Sequence, residues 1–212
     1  KNDSTTLTMT AHAVYGLGLA KRAGVAVPEG MLKNGIKSLQ QQINTAQTNK
    51  LAQASRALAV NGVSSKPVDA RIAAAWKTLP RGEQIAFAEA LGFSGQKNTL
   101  RPLLDELKRE VQSEGSAAFI RDRDADSWWY GWRWGSSVIE TTSGLLSLLS
   151  KEQPADPLNS RLAMFLARRQ NGGWWQTTAS SAAAVTALAD YAAATDEASG
   201  SYEAELLLND SR

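Results

Sequence analysis

Cysteine is absent from the chain, and histidine occurs once, at His12. Without a thiol these residues can form no disulfide, no thiolate metal site and no Cys nucleophile, although the same absence says nothing of the compartment. His12 has no Ser or Cys in evident register beside it, which leaves no nucleophilic triad. Between Ala11 and Ala13 it reads as a packed core residue. An excess of charge of one sign is also missing: 23 basic residues stand against 21 acidic ones, a net +2. The basic residues are scattered, so the chain lacks the electrostatic footprint of a nucleic-acid binder. Long apolar runs are absent too. The best stretch, 182–194, is broken by Thr186 and Asp190 and falls short of the ~18–20 apolar residues that a spanning helix needs. Finally, the chain opens on Lys1-Asn2-Asp3 with no basic and apolar leader, which reads as a piece of something longer, any export signal lying upstream.

What the chain does have is repetition. A small residue followed by Leu recurs at Gly16-Leu17, Ala57-Leu58, Ala90-Leu91, Ser147-Leu148 and Ala187-Leu188, with Leu spacings of 41, 33, 57 and 40 residues. Each pair sits in a small-residue helix that breaks at Gly or Pro and is followed by a longer amphipathic helix. Self-similarity at ~20–50 residues marks units that bury their apolar faces only by stacking on one another.

Helical periodicity predicts segments at 4–23, capped by Ser4 or Thr5 and ended by Gly24, and at 28–42, where Met31, Leu32, Ile36, Leu39 and Ile43 share a face. A third runs over 50–60 and stops at Asn61-Gly62, both tolerant of the left-handed conformation. Further helices are expected at 67–76, 82–91, 100–111, 137–149, 157–169 and 178–194. The stretch 115–135, rich in Gly, Asp and Trp, lacks helical periodicity and reads as a long loop or short β-hairpin. The last residues, 202–212, read as a final helix or as a link to a following domain. Helices small nearly all round (Ala11, Ala13, Gly16, Gly18; Ala179, Ala187) suit an inner, crowded layer. Those with one apolar stripe and many charges (Lys33, Lys37; Arg161, Arg168, Arg169) suit an outer one. The expected fold is therefore all-α, an α/α toroid or solenoid of helical hairpins.

Two runs sharpen that reading. Trp128-Trp129-Tyr130-Gly131-Trp132-Arg133-Trp134 leads into Val138-Ile139-Glu140-Thr141-Thr142, and Arg168-Arg169-Gln170-Asn171-Gly172-Gly173-Trp174-Trp175 leads into Gln176-Thr177-Thr178. Together they resemble the closing part of the thioester-containing domain of the alpha-2-macroglobulin and complement family, most closely its bacterial members. Residues 4–32, with Leu7-Thr8-Met9-Thr10-Ala11 and Tyr15-Gly16-Leu17-Gly18-Leu19-Ala20, resemble an earlier hairpin of the same domain. The resemblance implies a single toroid fragment over 1–212, an incomplete ring inside a larger multidomain protein. It further implies a secreted or periplasmic endopeptidase inhibitor that traps proteases, with neighbouring β-sandwich domains as partners. The family's chemistry is an internal thioester between Cys and Gln, and a chain without Cys carries none. Arg81-Gly82-Glu83-Gln84 imitates the motif with Arg for Cys, but Arg cannot form a thioester and the match is read as coincidence.

The remaining constellations are weighed against structural roles. Asp122, Asp124 and Asp126 alternate like calcium ligands, but Ser127 and Arg133 stand where an EF-loop needs Gly and Glu, and no metal is expected. With Arg121 and Arg123 interleaved, the triplet reads as a solvated or self-paired loop. Six of the seven Trp fall within 128–134 and 174–175. They read chiefly as plugs between helix ends, while Trp129, Trp132, Trp174 and Trp175 form a candidate interaction surface, and at least one of Trp174 and Trp175 should stay partly exposed. An α/α-toroid carbohydrate enzyme would need two carboxylates across the mouth, and Asp126 with Glu140 is the one reasonable pair. Glu140 is equally a first-turn acid favoured by the helix dipole. The reading is thus a non-enzymatic scaffold and docking surface with no catalytic residue and no cofactor, no nucleic-acid partner and no membrane span in these residues. A carbohydrate-active toroid and a pure interaction scaffold are the alternatives.

Overall fold

The computed structural model describes residues 6–122 and 138–195. Among these the fold is all-α: α1 (Leu7–Arg22), α2 (Glu29–Ile43), α3 (Leu51–Ala59), α4 (Lys66–Ala75), α5 (Arg81–Phe93), α6 (Lys97–Arg109), α7 (Val138–Glu152), α8 (Leu158–Arg169) and α9 (Thr178–Thr195). One antiparallel hairpin interrupts them, β1 (Gln112–Glu114) and β2 (Ala117–Phe119), paired Gln112 to Phe119 and Glu114 to Ala117. The hairpin thus begins before the loop expected at 115–135, because Gly115, at φ +60°, makes the turn inside it. Residues 202–212 lie outside the described residues.

The local chemistry that ends each helix is visible in the chain. α1 is capped by Thr6, whose hydroxyl accepts from the Met9 amide, rather than by Ser4 or Thr5. It stops at Gly24, φ +81°, where the Val25 amide reaches back to Ala20 and the Gly24 amide to Lys21, satisfying carbonyls that the helix leaves open. Pro28 precedes α2 as its cap rather than lying in the first turn. On α2, Leu32, Leu39 and Ile43 are buried and Ile36 is partly so. Met31 is 59% exposed and does not belong to that face, since it lies next to Leu32 in sequence, about 100° around the helix.

Packing places the odd-numbered helices in one layer. α1 lies on α3, α3 on α5, α5 on α7 and α7 on α9, while α2, α4, α6 and α8 each pair with the helix before them and form the second layer. β2 rests on α8, with the Phe119 and Phe165 rings stacked at 4.9 Å. The two layers bury one continuous core that includes Phe87, Leu91, Leu100, Leu145, Leu146 and Leu166. Glycine permits the closest approach: a Cβ on Gly144 would stand 2.9 Å from Ile85 Cγ2, so α7 sits directly against α5. The expectation that small-residue helices are crowded all round fails for both helices it named, α1 and α9, while α3, α5 and α7 are the heavily buried ones. At the two ends of the arc, among the described residues α1 packs in its layer chiefly on α3 and α9 chiefly on α7, and α1 leaves Met9, His12, Ala13 and Gly16 exposed. His12 is therefore a surface residue and not a core one, with its pKa lowered by partial burial and by Arg56.

Candidate interaction surface

The connection from α8 to α9 brings the two adjacent tryptophans to opposite fates. Asn171 and Trp174 exchange backbone hydrogen bonds across Gly172 and Gly173, which supply φ +60° and +92°. That tight turn points Trp174 outward, 63% exposed, and Trp175 inward, 6% exposed. Trp175 donates from its indole Nε1 to the Leu166 carbonyl at 2.7 Å, and its amide donates to Ser181 Oγ at 3.0 Å. Gln176 then takes φ +43°, a left-handed conformation uncommon for a non-glycine residue, and Thr177 Oγ1 accepts from the Ser180 amide to start α9. Trp175 is thus part of the core, and Trp174 is an exposed ledge of aromatic surface. Trp129 and Trp132 lie outside the described residues.

Glu140, in the first turn of α7, accepts a hydrogen bond from Ser180 Oγ at 2.9 Å and so links α7 to α9. Asp126 and Asp124 lie outside the described residues. Asp122 does not behave as a solvated loop acid: its two carboxylate oxygens accept from the backbone amides of Arg81 at 3.0 Å and Gly82 at 3.3 Å. It therefore caps α5 from a distant part of the chain, where the positive end of the helix favours an anion. Arg121 stacks over Phe119, 5.4 Å from its centroid.

The stretch from Arg81 to Gln84 serves as a structural lock. Arg81 donates to Gln84 Oε1 at 2.7 Å and pairs with Glu110 at 2.7 Å, and Gln84 Nε2 donates to the Trp76 carbonyl at 2.6 Å. Arg81 and Gln84 are both buried. Glu83 turns the other way, toward α3, where Gln53 Nε2 donates to its Oε1 at 3.2 Å while Oε2 is buried with no partner. Burial pushes the Glu83 pKa up to about 7.

A polar hub joins all five inner helices, and sequence reading missed it. Arg56 of α3 pairs with Glu89 of α5 at 2.7 Å, donates to Gln53 Oε1 at 2.6 Å, and lies 4.0 Å from the Tyr15 ring centroid of α1. Burial and the charge of Glu89 both raise the Tyr15 pKa, with Asp190 of α9 adding to the rise. Asp190 in turn pairs with Lys151 of α7 at 2.6 Å and accepts from Ser147. A cleft of about 200 Å³ opens here, lined by Arg22, Glu89, Phe93, Leu148, Lys151 and Glu152 among others. Ser147 and Lys151 stand 3.0 Å apart, but a lysine base must be neutral and free, and this ammonium is held by Asp190. In the sequence each member reads individually as an ordinary exposed charge or, for Tyr15, as a phenol at helical spacing.

No family model matches the chain, and no curated protein matches it in sequence. Solved structures do. The chain is similar to Salmonella alpha-2-macroglobulin reacted with methylamine, with a TM-score of 0.65 at 20% identity over 89% of this chain and 12% of that one. It is similar to native Escherichia coli alpha-2-macroglobulin, with a TM-score of 0.63 at 19% identity over 90% of this chain and 12% of that one. A third likeness is to the E. coli protein spanning domain MG7 to the C-terminus, with a TM-score of 0.62 at 18% identity over 91% of this chain and 30% of that one. The chain thus shares its fold with a part of bacterial alpha-2-macroglobulins and spans about an eighth of the full-length ones. Among the described residues no helix is long and apolar enough to cross a membrane.

Proposed function

We propose that the chain is the scaffold of a bacterial alpha-2-macroglobulin-like protease trap, the later part of a thioester-type α/α toroid set in a larger protein. The observation that carries this reading is the backbone likeness to the Salmonella and E. coli proteins over about nine-tenths of the chain. It coincides with the aromatic, Glu-Thr-Thr and Gly-Gly-Trp-Trp runs read from the sequence. On this reading the parent works in the periplasm or outside the cell, its partners are attacking proteases, and the chain itself is not an enzyme. Trp174 is its docking ledge for a neighbouring β-sandwich domain, since exposed Trp is the residue type that most often anchors an interface. The chain holds no Cys, so any thioester of the parent draws its thiol from outside these residues.

The test is made on the full-length parent. Mixed with a protease, it should abolish cleavage of a large protein substrate while leaving cleavage of a small peptide intact. Methylamine, with intact-mass and thiol measurement, then sorts the mechanism. A gain of one amine with one new thiol identifies a covalent trap, and no gain identifies a trap that works by enclosure. Unimpeded cleavage of the large substrate overturns the proposal.

A further inference from the structure

The inner layer curves on itself. α1 and α5 both pack on α3, yet they also meet directly: the Tyr15 and Phe93 rings lie 6.5 Å apart, edge to face, and the Arg22 guanidinium stands 5.2 Å from the Phe93 ring centroid. Inside the curve, the last turns of α1, α5 and α7 surround the cleft of about 200 Å³. Phe93 and Leu148 give it apolar surface, and Gly92 keeps it open, since a Cβ there would lie 3.2 Å from Glu152 Oε1. Its charged groups are only partly matched. Oε2 of Glu89 accepts from Arg56 and Oε2 of Glu152 from Lys97, but among the described residues Oε1 of each has no hydrogen-bond partner. Lys151 is held by Asp190 and donates to Ser147. Arg22 meets no carboxylate among the described residues: it reaches the Val60 carbonyl at 3.4 Å and the face of Phe93.

We propose that this cleft binds a small zwitterion with an apolar side chain, namely a free α-amino acid. Its carboxylate pairs with Arg22, the one wall cation that lacks an anion. Its ammonium donates to Oε1 of Glu89 and of Glu152, beside the C-terminal ends of α5 and α7, whose dipoles also favour a cation. The side chain covers Phe93 and Leu148. Sites for drug-sized ligands run to ~300–1,000 Å³, so a cleft of about 200 Å³ restricts the occupant to something of this smaller size. Half of such a ligand does not suffice. A lysine side chain from a partner protein would leave Arg22 unmatched, and a plain carboxylate would leave both glutamate oxygens without a donor. Hydrogen bonds between charged groups are the strong ones, so each end of the zwitterion contributes to its selection.

Titration calorimetry on the full-length protein with three probes tests this, at about pH 6.5, where α-amino groups stay protonated. L-Leucine carries both charges, leucinamide lacks the carboxylate, and 4-methylpentanoate lacks the ammonium. L-Leucine should bind at least about tenfold more tightly than either analogue. Arg22→Gln, at an exposed position, should weaken L-leucine roughly tenfold and remove its advantage over leucinamide. Gly92→Ala, whose Cβ crowds Glu152 Oε1, should weaken all three probes together. The comparison of probes on wild type gives the answer even if a variant folds poorly. No saturable binding of L-leucine, or leucinamide binding as tightly as L-leucine, overturns the proposal. So does L-leucine binding that neither substitution moves, because the amino acid would then sit elsewhere.

Discussion

Helices α7 and α9 lie side by side in the same layer and both are built largely of small and apolar residues, yet α7 buries ten of its fifteen residues and α9 three of eighteen. Composition is therefore a poor guide to crowding in a stacked array, because burial depends on how many neighbours a helix has. α7 lies between α5, α8 and α9, whereas among the described residues α9 packs chiefly on α7 and α8. The same contrast separates α3 from α1, which buries four of sixteen residues. Hydrophobic stabilisation scales with the area removed from water, so the middle of the arc should dominate the stability of the fold.

The strongest way to break this comparison is a cavity in the middle. Leu146 is fully buried in α7, and Leu146→Ala should cost about 2–5 kcal/mol, read as a lower denaturation midpoint at unchanged slope. A cost under about 1 kcal/mol would mean that the centre of the arc is loosely packed and that the contrast with α9 is one of exposure alone.

A smaller but sharper test uses one substitution with opposite signs. Gly144 in α7 has Ile85 Cγ2 at 2.9 Å from where a Cβ would lie, while Gly16 in α1 has nothing within 4 Å. Alanine removes the glycine penalty of ~0.5–1 kcal/mol in both helices, but overpacking against Ile85 adds about 1–3 kcal/mol of its own. Gly144→Ala should therefore destabilise by about 1–2 kcal/mol net, and Gly16→Ala should stabilise by about 0.5–1 kcal/mol. Thermal melts of the two variants suffice. A shift in the same direction for both would show that α1 is not an open edge.

The helical repeat was legible because each segment carries its own punctuation: Gly24 and Asn61-Gly62 end helices, Pro28 and Pro80 precede them, and Pro67 lies in the first turn of α4. That one of Trp174 and Trp175 would stay exposed was legible as well, since adjacent rings cannot both turn inward, but Trp175, also placed on the interaction surface, is buried in the core. Three features were not. His12 and Ala13 look like core residues by composition, and only the place of α1 in the arc exposes them. Asp122 reads as a loop acid because its partners, the Arg81 and Gly82 amides, lie 40 residues or so upstream and belong to the backbone. The hub of Tyr15, Arg56, Glu89, Lys151 and Asp190 was invisible because each member comes from a different helix. Each is an ordinary charge or phenol at helical spacing, and only stacking brings them together. What the sequence hides here is long-range pairing, since local patterns cannot encode which face meets which.

The smallest expected effect probes the outer end of the comparison. Val185 on α9 is 57% exposed, and beside it Ala182, Thr186 and Ala189 face the same way. A surface substitution that breaks no cap, ion pair or packed contact stays within about 0.5 kcal/mol, so Val185→Ser should leave the melting transition of the chain almost unmoved. The measurement discriminates because the alternative has a definite size. If that face of α9 were covered in the protein, Val185 would forfeit its buried methyls and a hydroxyl would be left dry, at a combined cost of about 2 kcal/mol or more. Such a loss would turn the contrast between α7 and α9 from one of burial into one of partner: α7 covered by its own layer-mates, α9 by something outside the described residues. An unmoved transition would instead fix α9 as a true edge, whose Ala-rich surface is tolerated in water because small side chains expose little apolar area each.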